Sequence, residues 1–321
     1  MRLLYFNPET EYALASGASF YTPPAVVEEM KHANQLLPRY WAEPGDIILV
    51  DDAGGVESQY EIVDWSMLQT LFSEHPDLTV EPWGWNKALA VKLASHGVPG
   101  ANLPTMPTID NIRRLAHRRT TIAANAAWNS LMESADDDFK VDLPVELFAE
   151  EDCRQFAARV PGCWFKAPWS SSGRGVINTG ADMTETAVGE WCHGIIRRQG
   201  SVLAETPAER EADYATEWLL KEGKAEYIGL SHFKTSNRGK YLSNSELSQS
   251  MLEVFFNRTS RLDIYKVVEM QKKVLEDIFA GYSGPLGVDM ILEKYGGLRP
   301  FVEINVRRTM GMVALDIQRR K

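Results

Sequence analysis

Three side chains that carry oxygen, Asp289, Glu303 and Asn305, lie on two segments that read as neighbouring strands near the end of the chain. Successive residues of a strand point to opposite faces, so Glu303 and Asn305 share one face. A turn centred on Gly296 brings Asp289 directly opposite Glu303 in an antiparallel pair. Facing carboxylates repel each other unless a cation lies between them, and Mg²⁺ prefers such oxygen ligands when phosphates complete its coordination. The spacing therefore favours a magnesium site over a polar surface with ordinary ion pairs.

The same alternation divides the last strand into two faces. Val302, Ile304 and Val306 are predicted to face the core, and Arg307 follows on the polar face. We therefore expect the polar face to form one wall of a site.

A second group of residues points to phosphate binding. Lys166 lies on a predicted strand, and a loop rich in serine and glycine follows at residues 170–175. Glycines let backbone N–H groups approach phosphate oxygens, and serine hydroxyls add further donors. The segment contains neither GxxxxGK[ST] nor GxGxxG, so the P-loop and Rossmann interpretations lose their main support. The alternative is a flexible connection between two strands.

The elements that position these residues follow an order typical of an α/β domain and then an α+β domain. Strands are predicted at residues 2–6 and 46–51, with a helix after Pro24 between them, which indicates a small parallel α/β domain ending near residue 85. The remaining predicted elements are helices at 86–96, 109–130 and 263–280, an exposed acidic loop at 133–144, strands at 163–167, 175–179, 201–205, 215–221 and 225–234, and a final hairpin of residues 287–292 and 301–306.

Four arginines form a cluster on the helix predicted at 109–130: Arg113, Arg114, Arg118 and Arg119. Their spacing places several guanidinium groups on one side of the helix. We interpret the cluster as a solvated helix face, with an anion site as the alternative.

Composition limits the class of protein. At 321 residues the chain is expected to form two or three subdomains, and its net charge of −10 argues against a nucleic-acid partner. The N-terminus shows no signal peptide, and no apolar run approaches the ~20 residues that span a membrane, so a cytoplasmic protein is expected. The three cysteines, without CxxC spacing, argue against a disulfide framework or a zinc site and are predicted to be buried.

Residues 86–316 together resemble the ATP-grasp superfamily. The matching segments are Asn86-Lys87 with the helix that follows, Phe165-Lys166-Ala167-Pro168 with its Ser/Gly loop, Val202–Glu205, Gly287-Val288-Asp289, and residues 302–307. The spacing from Asp289 to Glu303 and Asn305 is similar to the terminal motif of D-alanine:D-alanine ligases. Gly287 and Val306 differ from the arginine and proline usual there, and the first difference argues against D-alanine as the substrate.

The resemblance implies a role for each matching residue. Lys87 and Lys166 match the two nucleotide-binding lysines, and Ala204 and Glu205 match the hinge beside the adenine. Asp213 and Glu217 compete with Glu205 as the acid that binds ribose. The mobile phosphate loop is matched by Ser171, Ser172 and Gly173, the magnesium ligands by Asp289, Glu303 and Asn305, and the arginine that steadies the transferring phosphate by Arg307.

The resemblance also implies a fold and an activity. The expected architecture is an ATP-grasp fold with an N-terminal α/β (pre-ATP-grasp) domain at residues 1–85, a central subdomain at 86–203 with the phosphate loop, and a C-terminal subdomain at 204–321 with the magnesium site. The cofactors would be ATP and two Mg²⁺ ions. The expected enzyme is a carboxylate-amine or carboxylate-thiol ligase that forms an acyl phosphate. A kinase, a carboxylase and a non-catalytic ATP-binding regulatory protein are the alternatives.

The implied partners are a small-molecule or peptide carboxylate and an amine acceptor, and a homo-oligomer is compatible with the sequence. Asn7, Glu9 and Glu11 follow the first strand, where an α/β sheet presents ligands, although a loop stabilised by side-chain capping explains them equally well. A further site loop is expected at residues 235–244, flanked by three residues whose roles stay unassigned: His232, Lys234 and Lys240.

Overall fold

The computed structural model describes residues 1–134, 139–170, 175–180, 184–236 and 241–320, and side chains throughout these ranges except at 134 and 185. It forms two compact units. Unit 1 comprises residues 1–114 and the last residues from Arg319 onward, and unit 2 comprises Leu115–Gln318. The division into three parts at residues 85 and 203, expected from the sequence, is not tested by these two units and stays a prediction.

Unit 1 contains a four-stranded parallel sheet, as the first two predicted strands indicated. The strands are β1 (Arg2–Tyr5), β2 (Ile47–Leu49), β3 (Glu61–Val63) and β4 (Thr79–Pro82). Their order is β3-β2-β1-β4, and every neighbouring pair is parallel. Because residues 3–5 of β1 and all of β2 are apolar and buried, both faces can be covered, and the sheet forms the core of this unit.

The helices of unit 1 are α1 (Thr10–Ser16), α2 (Ala25–Ala33), α3 (Leu68–Glu74), α4 (Lys87–Ser95) and α5 (Met106–Leu115). Helix α4 begins where the sequence predicts, because the Asn86 side chain accepts a hydrogen bond from the backbone of Leu89. Asn7 is fully buried and donates to the Gly84 carbonyl and to Thr10. These contacts favour the structural interpretation of Asn7 over a ligand role.

The single helix predicted at 109–130 is wrong. Helix α5 ends at Leu115, and α6 (Thr120–Ser134) starts a new helix. The break contains Arg118, whose backbone N–H donates to the Pro168 carbonyl instead of continuing the helix. Thr121 then turns back to donate to the Arg118 carbonyl. The break removes Arg118 and Arg119 from any shared helix face with Arg113 and Arg114.

One sheet of unit 2 carries the predicted phosphate-binding segment. Its strands are β5 (Val145–Leu147), β6 (Trp164–Lys166), β7 (Val176–Asn178) and β8 (Val202–Glu205), in the order β5-β8-β6-β7. Helices α7 (Glu150–Arg159) and α8 (Glu185–Gln199) supply the apolar residues that pack with it. The cysteines Cys153, Cys163 and Cys192 all lie in this core, and all three are fully buried as free thiols, as predicted.

The other sheet of unit 2 has five antiparallel strands: β9 (Arg210–Lys221), β10 (Lys224–Thr235), β11 (Tyr241–Asn244), β12 (Gly284–Glu293) and β13 (Leu298–Asn305). Their order is β11-β10-β9-β12-β13. The helices of this part are α9 (Gln249–Thr259), α10 (Ile264–Ile278) and α11 (Met310–Arg319). Strand β11 occupies part of the loop predicted at 235–244.

The β12–β13 hairpin confirms the predicted register, because Asp289 pairs directly with Glu303. The predicted face of Val302 is wrong. Beyond Asp289 the ladder shifts, so that Ile291 pairs with Arg299. The irregularity turns Val302 toward a cavity and leaves it half-buried, whereas Ile304 stays in the core.

No helix in the described part of the chain is long and apolar enough to cross a membrane.

Candidate active site

A cavity of about 440 Å³ lies within unit 2 and is lined by residues of both its sheets. Strands β6 and β8 of the four-stranded sheet contribute Lys166 and Glu205. Strands β9, β12 and β13 of the five-stranded sheet contribute Asp213, Asp289 and Glu303. The volume is in the range of small-molecule sites, and charged groups of both signs converge there.

Lys166 lies at the end of β6 and is only 8% exposed. Its Nζ lies 2.6 Å from Oε2 of Glu205, the last residue of β8. The antiparallel pairing of β6 with β8 brings these two strand ends together. Burial lowers the pKa of Lys166, and the neighbouring Glu205 carboxylate opposes that shift. A cation held in this way can bind an anion that enters the cavity.

Arg118 also lines the cavity, whereas the sequence interpretation placed it on a solvated helix face and kept an anion site as the alternative. The residue is 7% exposed, its Nη2 lies 2.7 Å from Glu303 Oε1, and the same nitrogen donates to Ser170 Oγ at 3.0 Å. Its Nε is buried and has no hydrogen-bond partner among the described residues. A buried donor without an acceptor is costly, so this side chain is suited to an incoming anion.

Asp289 and Glu303 face each other across β12 and β13 and both line the cavity. Burial, and then the charge of Glu303, raise the pKa of Asp289 well above its ordinary value. A divalent cation between the two would remove that penalty, so the pair fits magnesium. Within the described ranges, no three His, Cys, Asp or Glu side chains form a metal site, so the ligand set of two carboxylates and one amide stays a prediction.

Asn305 and Arg307 follow Glu303, but the described residues that line the cavity do not include them. Arg307 Nη2 donates to Asn305 Oδ1 at 3.1 Å, and Arg307 Nη1 donates to the Arg308 carbonyl. Arg307 is therefore held against the amide that the sequence proposes as a metal ligand. Their roles stay predictions.

Comparison with known proteins gives matches in fold alone. No protein-family model and no curated protein sequence matches the chain. The biotin carboxylase of Campylobacter jejuni superposes with a TM-score of 0.57 at 14% identity, over 98% of this chain and 67% of that chain. The biotin carboxylase domain of Hydrogenobacter thermophilus 2-oxoglutarate carboxylase gives 0.55 at 13%, over 99% and 68%. The N5-carboxyaminoimidazole synthetase of Staphylococcus aureus gives 0.53 at 13%, over 96% and 70%.

The chain has the ATP-grasp fold. The architecture predicted from the sequence motifs is thereby confirmed. The cavity lies between the two sheets of unit 2 that carry the matching ATP-grasp segments, β6 with β8 and β12 with β13.

The three acids that the sequence resemblance offers for ribose occupy different surroundings. Glu205 lines the cavity in its ion pair with Lys166. Asp213 also lines it, and its Oδ2 accepts hydrogen bonds from Thr235 and Arg210. Glu217 is fully buried elsewhere, so it cannot meet a ribose in this arrangement. Asp213 and Glu205 remain the candidates.

Glu217 instead organises the segment after β13. Its carboxylate accepts hydrogen bonds from Thr309 Oγ1 at 2.7 Å and from Ser231 Oγ at 3.0 Å. A Cβ at Gly311 would overlap with its Oε1, so any larger residue in that first turn of α11 would force the Glu217 carboxylate to move. Burial raises the pKa of Glu217 to about 7, and the hydrogen bonds from Thr309 and Ser231 oppose the shift.

The remaining predicted residues are placed as follows. Lys87 is the first residue of α4 in unit 1, and its nucleotide role stays a prediction. Ala204 is fully buried inside β8, next to Glu205. His232 and Lys234 lie on β10. Four residues lie outside the described part of the chain: Ser171, Ser172, Gly173 and Lys240.

Proposed function

We propose that the chain is an ATP-dependent ligase that activates a substrate carboxylate as an acyl phosphate for attack by an amine or a similar nucleophile. The arrangement of charge in one cavity carries this proposal. Two buried cations, Lys166 and Arg118, face two paired carboxylates, Asp289 and Glu303, within about 440 Å³. Triphosphate complements the cations, and a divalent metal ion complements the carboxylates.

The proposed nucleotide site uses both sheets of unit 2. Lys166 and Arg118 would bind the phosphates, together with the loop that contains Ser171, Ser172 and Gly173. Adenine would lie against Ala204 and Glu205, and Asp213 would bind ribose because its carboxylate lines the same cavity. Lys87 is proposed as the second nucleotide-binding lysine.

Asp289, Glu303 and Asn305 would hold the proposed magnesium, for which two ions are expected from the sequence. Bound there, Mg²⁺ would neutralise negative charge on the phosphates. The S. aureus synthetase was solved with ADP, and the H. thermophilus carboxylase domain with MgADP and bicarbonate. These ligands of structures with the same fold support nucleotide and magnesium for this chain.

The chemistry requires positioning and not a covalent nucleophile from the protein. An oxygen of the substrate carboxylate attacks the γ-phosphorus, the bond from that phosphorus to the bridging oxygen breaks, and ADP leaves. The amine nitrogen then attacks the acyl carbon, phosphate leaves, and the amine loses a proton. Lys166 and Arg307 would hold the phosphate oxygens while charge moves between them, a contribution commonly worth ~3 kcal/mol for each donor.

The binding half of the proposal is tested with Lys166→Met. The variant should weaken ATP binding at least tenfold, because a charge-assisted contact to phosphate is lost. Isothermal titration calorimetry with Mg-AMP-PNP measures this, and Lys221→Met, at an exposed lysine of β9, is the matched control. An unchanged dissociation constant in folded Lys166→Met would remove this site from consideration.

The chemical half is tested with hydroxylamine, which traps acyl phosphates as hydroxamates. The screen should include amino acids, short peptides, dicarboxylates and bicarbonate, each with ATP and Mg²⁺. A hydroxamate with stoichiometric ADP supports a ligase. A stable phosphorylated product points to a kinase, and ADP formation that depends only on bicarbonate points to a carboxylase. Nucleotide binding without ADP release from any acid indicates a regulatory protein.

The acceptor and a cytoplasmic location belong to the same proposal, with the sequence as their support, and a homo-oligomer is compatible with it. The proposed partners are a small-molecule or peptide carboxylate and an amine. The proposal includes neither nucleic acid nor a membrane as a partner.

A further inference from the structure

The ion pair between Arg118 and Glu303 joins a proposed phosphate ligand to a proposed metal ligand. Their side chains lie 2.7 Å apart, with Arg118 7% and Glu303 26% exposed. Without ligands, the Arg118 guanidinium supplies the positive charge at Glu303 that a bound metal ion would otherwise supply. The Glu303 carboxylate likewise supplies the negative charge at Arg118 that a bound phosphate would otherwise supply.

We propose that Arg118 couples the two binding events, so that the metal ion and the triphosphate each bind well only together. The inference rests on the proposed function, because it takes the cavity to be the Mg-ATP site. It assigns Arg118 a role beyond contact with phosphate.

The coupling follows from what each ligand leaves behind when it binds alone. A metal ion that takes Glu303 displaces the guanidinium, and Arg118 is then a buried cation without its acceptor. A triphosphate that draws the Arg118 guanidinium away from Glu303 leaves Glu303 opposite Asp289 without the cation that now balances it. Each case leaves a partly buried charge uncompensated, which is costly. When both arrive, the metal ion replaces Arg118 at Glu303 and the phosphate replaces Glu303 at Arg118.

No other described group near Arg118 can balance its charge when Glu303 binds a metal ion. Lys166 is already paired with Glu205 at 2.6 Å, and as a cation it repels Arg118. Ser170 offers only a neutral hydroxyl. Glu303 is thus the anion that balances Arg118 in the described part of the cavity, and affinity for one ligand must rise when the other is bound.

Arg119 provides the matched control. It is the next residue in the chain and carries the same charge, but its side chain is 54% exposed and pairs with Glu146. Arg119→Met therefore removes one positive charge from the same loop and leaves the Arg118–Glu303 pair intact.

The test measures binding of Mn²⁺ without nucleotide, from the loss of the free-ion signal in electron paramagnetic resonance. Wild type and Arg119→Met should bind Mn²⁺ weakly alone and tightly with AMP-PNP. Arg118→Met should bind Mn²⁺ alone about tenfold or more tightly than wild type, because no guanidinium has to be displaced. Mn²⁺ alone should also raise the melting temperature of Arg118→Met and leave that of wild type unchanged.

The outcomes separate this inference from the proposed function. Tight Mn²⁺ binding to wild type without nucleotide overturns the coupling, and this measurement needs no variant to fold. Equal Mn²⁺ affinity of Arg118→Met and wild type also overturns it, while joint binding of Mn²⁺ and AMP-PNP to wild type keeps the proposed function. If wild type binds neither Mn²⁺ nor AMP-PNP when both are present, the proposed function itself fails.

Discussion

At the scale of single residues, Glu303 lies where metal and nucleotide would meet. Glu303→Gln keeps the size of the side chain and removes the charge that would hold Mg²⁺, so ADP release should fall about 10²- to 10³-fold. The same change relieves repulsion with Asp289 but leaves the buried Arg118 without its balancing carboxylate, so the metal-free variant should melt lower than wild type. ADP release and thermal melts measure both effects.

Glu226→Gln, at an exposed position of β10, is the control for Glu303→Gln and should retain wild-type turnover. If Glu303→Gln releases ADP at a near-normal rate, the polar face of the β12–β13 hairpin has a structural role and is not a metal site.

The sequence anticipated short-range features of this region and missed long-range ones. The pairing of Asp289 with Glu303 follows from a two-residue period and one turn, both of which are local properties. Arg118 meets Glu303 across 185 residues, and only the break between α5 and α6 turns its guanidinium toward the cavity. Two adjacent arginines at the start of the apolar helix α6 were the available signal, since helix N-termini favour anions.

At the scale of elements, Glu217 joins β9 to β10 and to the start of α11. Its pKa of about 7, against 4.5 ordinarily, means that the folded protein binds the proton more tightly than the unfolded chain. The folded state therefore loses stability as pH rises from 4.5 through 7, by about 3 kcal/mol at most. Glu217→Gln has no such proton, so its stability relative to wild type should increase between pH 5 and pH 8.

Urea unfolding of both proteins at the two pH values measures this difference. A constant difference across that range would show that Glu217 stays ionised in the folded protein.

The strand boundaries show what the hydrophobic alternation of the sequence can and cannot predict. The apolar alternation located β10 and β12, whereas the face of Val302 depended on a shift in the ladder beyond Asp289. Such a shift leaves the hydrophobic pattern almost unchanged and redirects a side chain, so periodicity does not reveal it. Strand β11 was missed because it is short and follows a polar segment.

At the scale of the whole molecule, unit 2 contains every described residue that lines the cavity. Mg-ADP at 100 times its dissociation constant should stabilise the folded state of that unit by about 2.7 kcal/mol. Calorimetry should show this as a rise in melting temperature of several degrees, and Lys166→Met, with affinity at least tenfold lower, should lose about half of the rise or more at the same nucleotide concentration. A rise of equal size in Lys166→Met would place the nucleotide away from β6.

The burial of Cys153, Cys163 and Cys192 makes the native protein silent toward thiol reagents. A maleimide dye should label none of them until the protein is unfolded in guanidinium chloride, when all three should react. A single cysteine introduced at Glu226 would then be the sole reactive thiol. Fluorophores or spin labels can therefore be attached at chosen surface positions, and movements around the cavity followed in solution, without first replacing any natural cysteine.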